Sequence, residues 1–386
     1  MSFRTPRTMA GATGIVLVGL LGVVSAGGPA AAAGQNAQPE QNIPMAEDVL
    51  RDVQVLRGIP LDEFMDTMGM FAAALGYDCS NCHAPGIAAG FEGFADPTPE
   101  IQTARRMVVM MNAINESYFG GAERVTCFTC HNGDFAPKDA PILSLQYGAP
   151  RTYPNAMEIF PEPGASADQL FDEYLQALGG QEQVAALTSF AATGMYSGFD
   201  TRFAGIPVEI YADGPSRRTT IIRGLAGTDS IRVYDGTNGW KTGSDVPGGV
   251  MALSGSNLAG AKIEAMASFP AGIQQAYDQW VVGTVIIDDS VVQVVQGRNA
   301  DESPVNLYFD ESGLLTRLVR WNETVVGVVP TQIDYEDYRE VSGSQMPFRW
   351  TMTWTGGQST FELTDVQPNV AIDASRFARP SLTGSP

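Results

Sequence analysis

Two five-residue stretches constrain this chain more than anything else in it: Cys79-Ser80-Asn81-Cys82-His83 and Cys127-Phe128-Thr129-Cys130-His131. Each reads Cys-x-x-Cys-His, with two thiols one helical turn apart and an imidazole directly behind them. That spacing is the attachment signature of a c-type haem. The thiols can add to the two vinyl groups of one porphyrin, and the histidine then faces the iron as proximal ligand. The 386-residue chain has four cysteines and two histidines, and the motifs use all of them. No thiol is left for a disulfide and no imidazole for acid–base work elsewhere. A zinc ribbon also uses two Cys-x-x-Cys pairs, but 44 residues separate Cys82 from Cys127, against about 15–20 in such ribbons. A thioredoxin-like redox pair explains neither the duplication nor the trailing histidines.

The length allows two or three domains. A content of 44% hydrophobic and 17% charged residues is ordinary for a globular chain with a sizeable core. The formal charge of −20 argues against a nucleic-acid partner. It suits an acidic face that steers a basic redox partner, and equally a charge that only keeps an exported protein soluble. At the N-terminus, Arg4 and Arg7 precede an apolar run from Gly14 to Ala26, and Ala31-Ala32-Ala33 precede Gly34. Residues 1–33 therefore read as a secretory signal peptide, with retention as an N-terminal membrane anchor the other outcome. Haem is attached covalently outside the cytoplasmic membrane in bacteria, so signal and motifs agree on a periplasmic location. Residues 34–43 are polar and read as a linker.

Each motif is expected to follow a helix. A first helix can start after Pro44 and carry Val49, Leu50 and Val53. Pro60 then opens a longer one, Leu61 to Leu75, with Asp62 and Glu63 in its first turn and Gly76 at its end. Leu61, Phe64, Met65, Met68, Phe71, Ala72 and Leu75 fall on one stripe. After a loop rich in Gly and Pro, Thr98 is the candidate N-cap and Pro99 the first helical residue of the next helix, which Gly120-Gly121 close. Its apolar face carries Ile101, Ala104, Met107, Val108, Met111 and Ile114. With both histidines spent as proximal ligands, each iron needs another sixth ligand, and a methionine thioether is the natural one. Met65, Met68 and Met70 precede the first motif; Met107, Met110 and Met111 precede the second. Methionines on an apolar helix face also serve as packing, and periodicity does not choose within either cluster.

Residues from about 47 to 140 resemble the cytochrome c subunit of photosynthetic reaction centres, a tetrahaem family built from such repeated units. The stretches that carry the resemblance are Glu63-Phe64-Met65-Asp66-Thr67-Met68, Ala104-Arg105-Arg106-Met107, Ala113-Ile114-Asn115 and Val125-Thr126-Cys127-Phe128-Thr129-Cys130-His131. The resemblance implies Met68 as distal ligand of the first haem and Met107 as that of the second. Arg105 and Arg106 can pair with haem propionates or face solvent. The resemblance covers about a quarter of the chain and only one haem pair. A third and fourth motif are missing, so a surface for docking on a reaction centre is not implied.

Residues 141–165 are rich in Pro and read as a linker. Ser166 can cap a helix from Ala167 to Leu178, ended by Gly179-Gly180, with a short helix over Gln181 to Leu187. From about 190 onward the pattern is of period two. It includes Val208-Glu209-Ile210-Tyr211, Ile231-Arg232-Val233-Tyr234, Val305-Asn306-Leu307-Tyr308-Phe309 and Phe348-Arg349-Trp350-Thr351-Met352, with turns at Asp235-Gly236 and Asp310-Glu311-Ser312-Gly313. These are the marks of an antiparallel meander, with a helical interruption over about Leu258 to Phe269. The layout resembles the periplasmic lipoprotein-carrier fold, an open half-barrel closed by helices. That resemblance rests on Val233-Tyr234-Asp235-Gly236-Thr237-Asn238-Gly239-Trp240-Lys241 and on the Leu307-Tyr308-Phe309-Asp310 strand with its Gly313-Leu314 turn. It implies a concave face that either holds an apolar ligand such as an acyl chain or is filled by a core.

The expected fold is therefore multidomain: a mainly α, c-type dihaem cytochrome domain over 44–140, then an α+β antiparallel half-barrel-like domain over 166–380. The expected function is a periplasmic dihaem cytochrome that carries single electrons between redox partners, such as a basic cytochrome or a membrane redox complex, and is not an enzyme. Cys79, Cys82, Cys127 and Cys130 anchor two covalently bound haem c groups; His83 with Met68, and His131 with Met107, ligate the irons. Two other classes stay open. One is a haem enzyme such as a dihaem peroxidase, which needs a displaceable sixth ligand. The other is a lipid or lipoprotein carrier with a redox-sensing haem domain.

Overall fold

The computed structural model describes residues 41–83, 91–148, 155–214, 216–224, 227–287, 290–300 and 302–381. The expected signal peptide over residues 1–33, most of the expected 34–43 linker and part of the expected 141–165 linker lie outside them. Among the described residues no helix is long and apolar enough to cross a membrane.

The haem-motif region is built from short and long helices: α1 (Ala46–Val49), α2 (Leu61–Leu75), α3 (Cys79–Cys82), α4 (Pro99–Phe119), α5 (Cys127–His131) and α6 (Leu143–Gln146). The two long ones have the expected ends. Gly76 and Gly120 close α2 and α4 in the left-handed conformation, and the Thr98 hydroxyl accepts the Ile101 N–H at the start of α4. Two readings need correction. The first helix is a single turn, because Leu50 is already extended and Asp52 takes a φ of 61°. Val53 packs beside the apolar cluster of this region rather than on a helix. On α2 the most deeply buried residues are Leu61, Asp62, Thr67, Met70 and Ala74, not the stripe of Phe64, Met65, Met68 and Phe71. The helix is enclosed on more than one side, so a polar face is buried along with the apolar one.

The rest of the chain forms one antiparallel sheet with helices α7 (Ala167–Ala177), α8 (Gln181–Ala186) and α9 (Gly255–Ala267). Its strands are β1 (Phe160–Pro161), β2 (Ser189–Gly198), β3 (Ile206–Asp213), β4 (Arg217–Ile222), β5 (Ser230–Tyr234), β6 (Gly239–Thr242) and β7 (Val250–Leu253), followed by β8 (Gln279–Ile287), β9 (Ser290–Asn299), β10 (Glu302–Phe309), β11 (Leu315–Thr324), β12 (Gly327–Val341), β13 (Ser344–Trp354) and β14 (Gly357–Pro368). Two meanders, β2 to β7 and β8 to β14, are joined where β14 pairs with β2. An aromatic row crosses that joint: Trp350 opposes Phe361, which opposes Tyr196, with ring centroids 5.0 and 5.1 Å apart. Such facing pairs hold register beyond the backbone ladder.

The sheet curls around α9. Glu264 on that helix meets Arg232 on β5 at 3.1 Å and Arg320 on β11 at 3.0 Å, although six strands lie between β5 and β11 in the sheet. Ile263 and Met266 from α9 and Phe269 just after it, with Phe171 and Tyr174 from α7 and Leu178 at its C-cap, complete the largest apolar core against the strands. The concave side of the sheet is thus occupied by the chain's own helix and two ion pairs that share Glu264.

Candidate haem-attachment site

Both motifs are short helices whose first turn is held by the residue before the first cysteine. Asp78 caps α3: its carboxylate accepts the Ser80 N–H at 2.8 Å, while the Asn81 side chain takes the Asp78 N–H at 2.9 Å. Thr126 caps α5, accepting the Thr129 N–H at 3.2 Å, and the Thr129 hydroxyl takes the Thr126 N–H at 3.1 Å. These reciprocal bonds satisfy amides that a helix start leaves without partners. They fix the two cysteines of each pair one turn apart, and all four thiols are free.

The histidines share a second feature. His83 Nδ1 lies 2.9 Å from the Phe94 carbonyl, with the ring against the Phe94 ring at 4.7 Å. His131 Nδ1 lies 3.2 Å from the Asp134 carbonyl. A carbonyl can only accept, so in each neutral imidazole Nδ1 carries the proton and Nε2 keeps its lone pair. That is the tautomer a metal-ligating histidine needs, fixed by the bond on its other nitrogen. Burial holds the His83 pKa below its ordinary value, against the Phe94 bond that works to raise it. Burial also raises the Cys82 thiol and pushes the Cys127 thiol up to about 11.

Helix α2 brings the two motifs together. The Gly133 N–H, two residues past His131, donates to the Ala74 carbonyl at 2.9 Å. A Cβ on Gly76 would meet the Gly133 carbonyl at 2.6 Å, and Gly76 already has a φ of 66°; glycine is needed there for space and for conformation. Tyr77, just before the first motif, stacks on Phe135, just after the second, at 5.3 Å. In the other direction, Thr98 at the start of α4 donates to the Cys82 carbonyl at 2.6 Å. Near the end of α4, buried Asn115 accepts the Arg124 and Val125 N–H groups at 3.2 and 2.9 Å and donates to the Val125 carbonyl at 2.8 Å. That clamp sets the chain entering α5.

The two methionines singled out sit differently. Met68 is half-buried and borders an apolar cluster of Met70, Ala74, Val108, Met111, Val326 and Val329, which Cys127 also borders. Met107 is 38% exposed on α4, whereas Met111 one turn on is 5% exposed. Arg106 faces outward and bonds the Thr103 hydroxyl. Arg105 turns in: Nη2 donates to the Asp52 carboxylate at 2.9 Å and the Asp52 carbonyl at 2.7 Å, and Nη1 is buried with no hydrogen-bond partner. Such a donor calls for a carboxylate or another acceptor.

Several positioning residues were not visible in the sequence pattern. Asp62 is buried and accepts both the N–H and the hydroxyl of Ser254, each at 2.6 Å. Asp66 accepts from Asn257 at 2.7 Å and Asn322 at 2.9 Å, and a Cβ on Gly69 would lie 2.6 Å from the Thr355 hydroxyl. Residues 62, 66 and 69 share one helical face, so α2 is seated on the start of α9 and on the sheet by two acids and a glycine. Burial raises both carboxyls above their ordinary values.

The donor set fits haem c: paired free thiols, imidazoles with Nε2 available, and a buried guanidinium nitrogen awaiting an acceptor. Comparison with known proteins points the same way for this part of the chain. The family described as photosynthetic reaction centre cytochrome C subunit matches residues 20–152. The photosynthetic reaction center cytochrome c subunit of Thermochromatium tepidum is 31% identical over 117 residues, and that of Roseobacter denitrificans 29% identical over 109 residues. The matches take in 28% and 26% of this chain, and the chain spans only 28% and 29% of the length of those relatives. For the C-terminal part, a LolA superfamily protein from Nitrosomonas europaea is similar at 14% identity and a TM-score of 0.36, over 56% of this chain and 98% of that one.

Proposed function

We propose that this chain is a periplasmic dihaem c-type cytochrome that carries single electrons between redox partners and is not an enzyme. The observation that supports it most is the pairing of two capped Cys-x-x-Cys helices with two histidines whose Nδ1 atoms are both held by backbone carbonyls. Bound haem supplies a reversible one-electron iron couple. The chain's own residues do the rest. Cys79 with Cys82, and Cys127 with Cys130, fix the two porphyrins; His83 and His131 present Nε2 to the irons; Met68 and Met107 are the distal ligands and raise the potentials. Residues 44–140 form the haem-bearing domain and 166–380 the β domain, joined by 141–165, with residues 1–33 as the export signal. The acidic chain suits a basic partner such as a small cytochrome, or the basic face of a membrane redox complex.

The test is a spectroscopic redox titration of the full chain, matured in a host that attaches haem, alongside Met68→Ala and Met107→Ala. Two haems per chain are expected, with a methionine-to-iron charge-transfer band in the oxidised protein that each variant diminishes. A high-spin spectrum in the wild type would point instead to a haem enzyme, and a variant with an unaltered spectrum would remove that methionine from the ligand set.

A further inference from the structure

The turn between β11 and β12 is an unusual hairpin tip. Its loop residues are Val325 and Val326, apolar at a place where exposed polar residues are the rule. Val326 is 1% exposed and Val329 4%. The tip is braced internally: the Thr324 hydroxyl donates to the Gly327 carbonyl at 2.6 Å and accepts the Val326 N–H at 3.3 Å. It is buried against the haem-motif helices, within the cluster of Met70, Ala74, Val108 and Met111 that Cys127 and Met68 border.

Two contacts tie it to the second motif. The Cys127 N–H, one of the amides that α5 leaves without an internal acceptor, donates to the Val326 carbonyl at 3.4 Å. Gly327 has a φ of 135°, and a Cβ there would lie 2.6 Å from the Met70 methyl and 3.0 Å from Thr126 Cβ. The strand end therefore touches the cap and the first cysteine of α5 on one side and α2 on the other. The bonds described for the first motif come from Asp78, Asn81, Phe94 and Thr98, all in the haem-motif region.

We propose that the Thr324–Gly327 tip is a positioning element of the second haem-attachment motif, so that the C-terminal sheet sets the surroundings, and hence the reduction potential, of that haem. This deepens the electron-transfer reading and rests on it. The sheet is then more than a spacer: a partner that shifts β11 against β12 changes the second redox centre.

The test compares the full-length holoprotein with Val326→Ala, which keeps the carbonyl but empties the space its side chain fills, and with Gly327→Ala. Val305→Ala serves as control, a fully buried site on β10 that weakens the sheet without touching either motif. Haem content is measured first, then the midpoint of each of the two one-electron waves. The expected result is two haems per chain throughout, the second haem's midpoint (the one that Met107→Ala also moves) displaced in the tip variants, and neither midpoint moved by Val305→Ala. Gly327→Ala can fail to fold, and Val326→Ala then decides alone. A second-haem midpoint unmoved in the tip variants, or the same displacement in the Val305→Ala control, overturns the proposal while leaving the dihaem reading intact. A wild-type chain without haem overturns both.

Discussion

The two attachment motifs are near copies at the level of their own residues and differ in what surrounds them. Each has a side-chain cap closing on its third helical residue and a histidine held through Nδ1. The first leans on the start of α4, through Thr98 and the Cys82 carbonyl. The second is held from three sides: by the end of α2 at Ala74, by Asn115 near the end of α4, and by the β11–β12 tip. A five-residue motif thus fixes local geometry, whereas the environment of each site is decided by residues tens to hundreds of positions away. Unequal support should show as unequal sensitivity to mutation.

The largest effect is expected from Asn115→Ala. It removes three hydrogen bonds and leaves the half-buried Val125 N–H and carbonyl without their partner, whereas the Arg124 N–H keeps the Ala122 carbonyl at 2.9 Å. At roughly 1 kcal/mol or more for each of these two groups, the loss is about 2 kcal/mol or more. Urea unfolding should read that loss, and hydrogen exchange should quicken at residues 124–131 before it does at 79–83. Equal quickening at both motifs would mean that they are supported as one body.

Thr98→Val is the mirror experiment on the first motif. It deletes the cap of α4 and the bond to the Cys82 carbonyl, a loss of about 1–2 kcal/mol. The exchange pattern should now reverse, with residues 79–83 loosening and 124–131 holding. If both variants loosen the same residues, the distinction drawn between the two sites is wrong.

What could be read from the chain before its fold was known follows the same division. The ends of α2 and α4 were legible because proline, threonine and glycine act on their own neighbours: Pro60 and Gly76, Thr98, Pro99 and Gly120 all stand where the helices begin and end. The strands around Ile210, Val233, Leu307 and Trp350 were legible through their period-two pattern. The buried side of α2 was not. Asp62 looked like a residue placed for the helix dipole, yet its partner Ser254 is 192 residues away, and Asp66 meets Asn322 across 256. A signal existed in the spacing of Asp62, Asp66 and Gly69 on one face, but two acids and a glycine read as a solvated face until a sheet is set against them. The Val325-Val326 pair was the other available clue, an apolar tip between two strands that needs something to bury it.

The smallest effect, and the one with a sign that can be worked out beforehand, concerns the seam of α2 with the start of α9, beneath the helix that brings the two motifs together. Burial raises the Asp62 carboxyl above 3.8, the two Ser254 bonds oppose that, and the neighbouring Asp66 charge adds to it. A carboxyl raised on folding binds its proton more tightly in the native state than in the unfolded one. Its contribution to stability is full below the unfolded value near 3.8 and is lost as pH rises through the folded value. Asp62→Asn keeps an acceptor for Ser254 and removes the titration. The stability of the variant relative to wild type should therefore increase with pH above about 4, by no more than about 1.4 kcal/mol per pH unit for a single proton. Paired urea titrations at pH 4, 6 and 8 would show it. A relative stability that is flat or falls with pH would mean that Asp62 is charged as readily in the fold as out of it, and that the seam beneath α2 is wetter than its burial indicates.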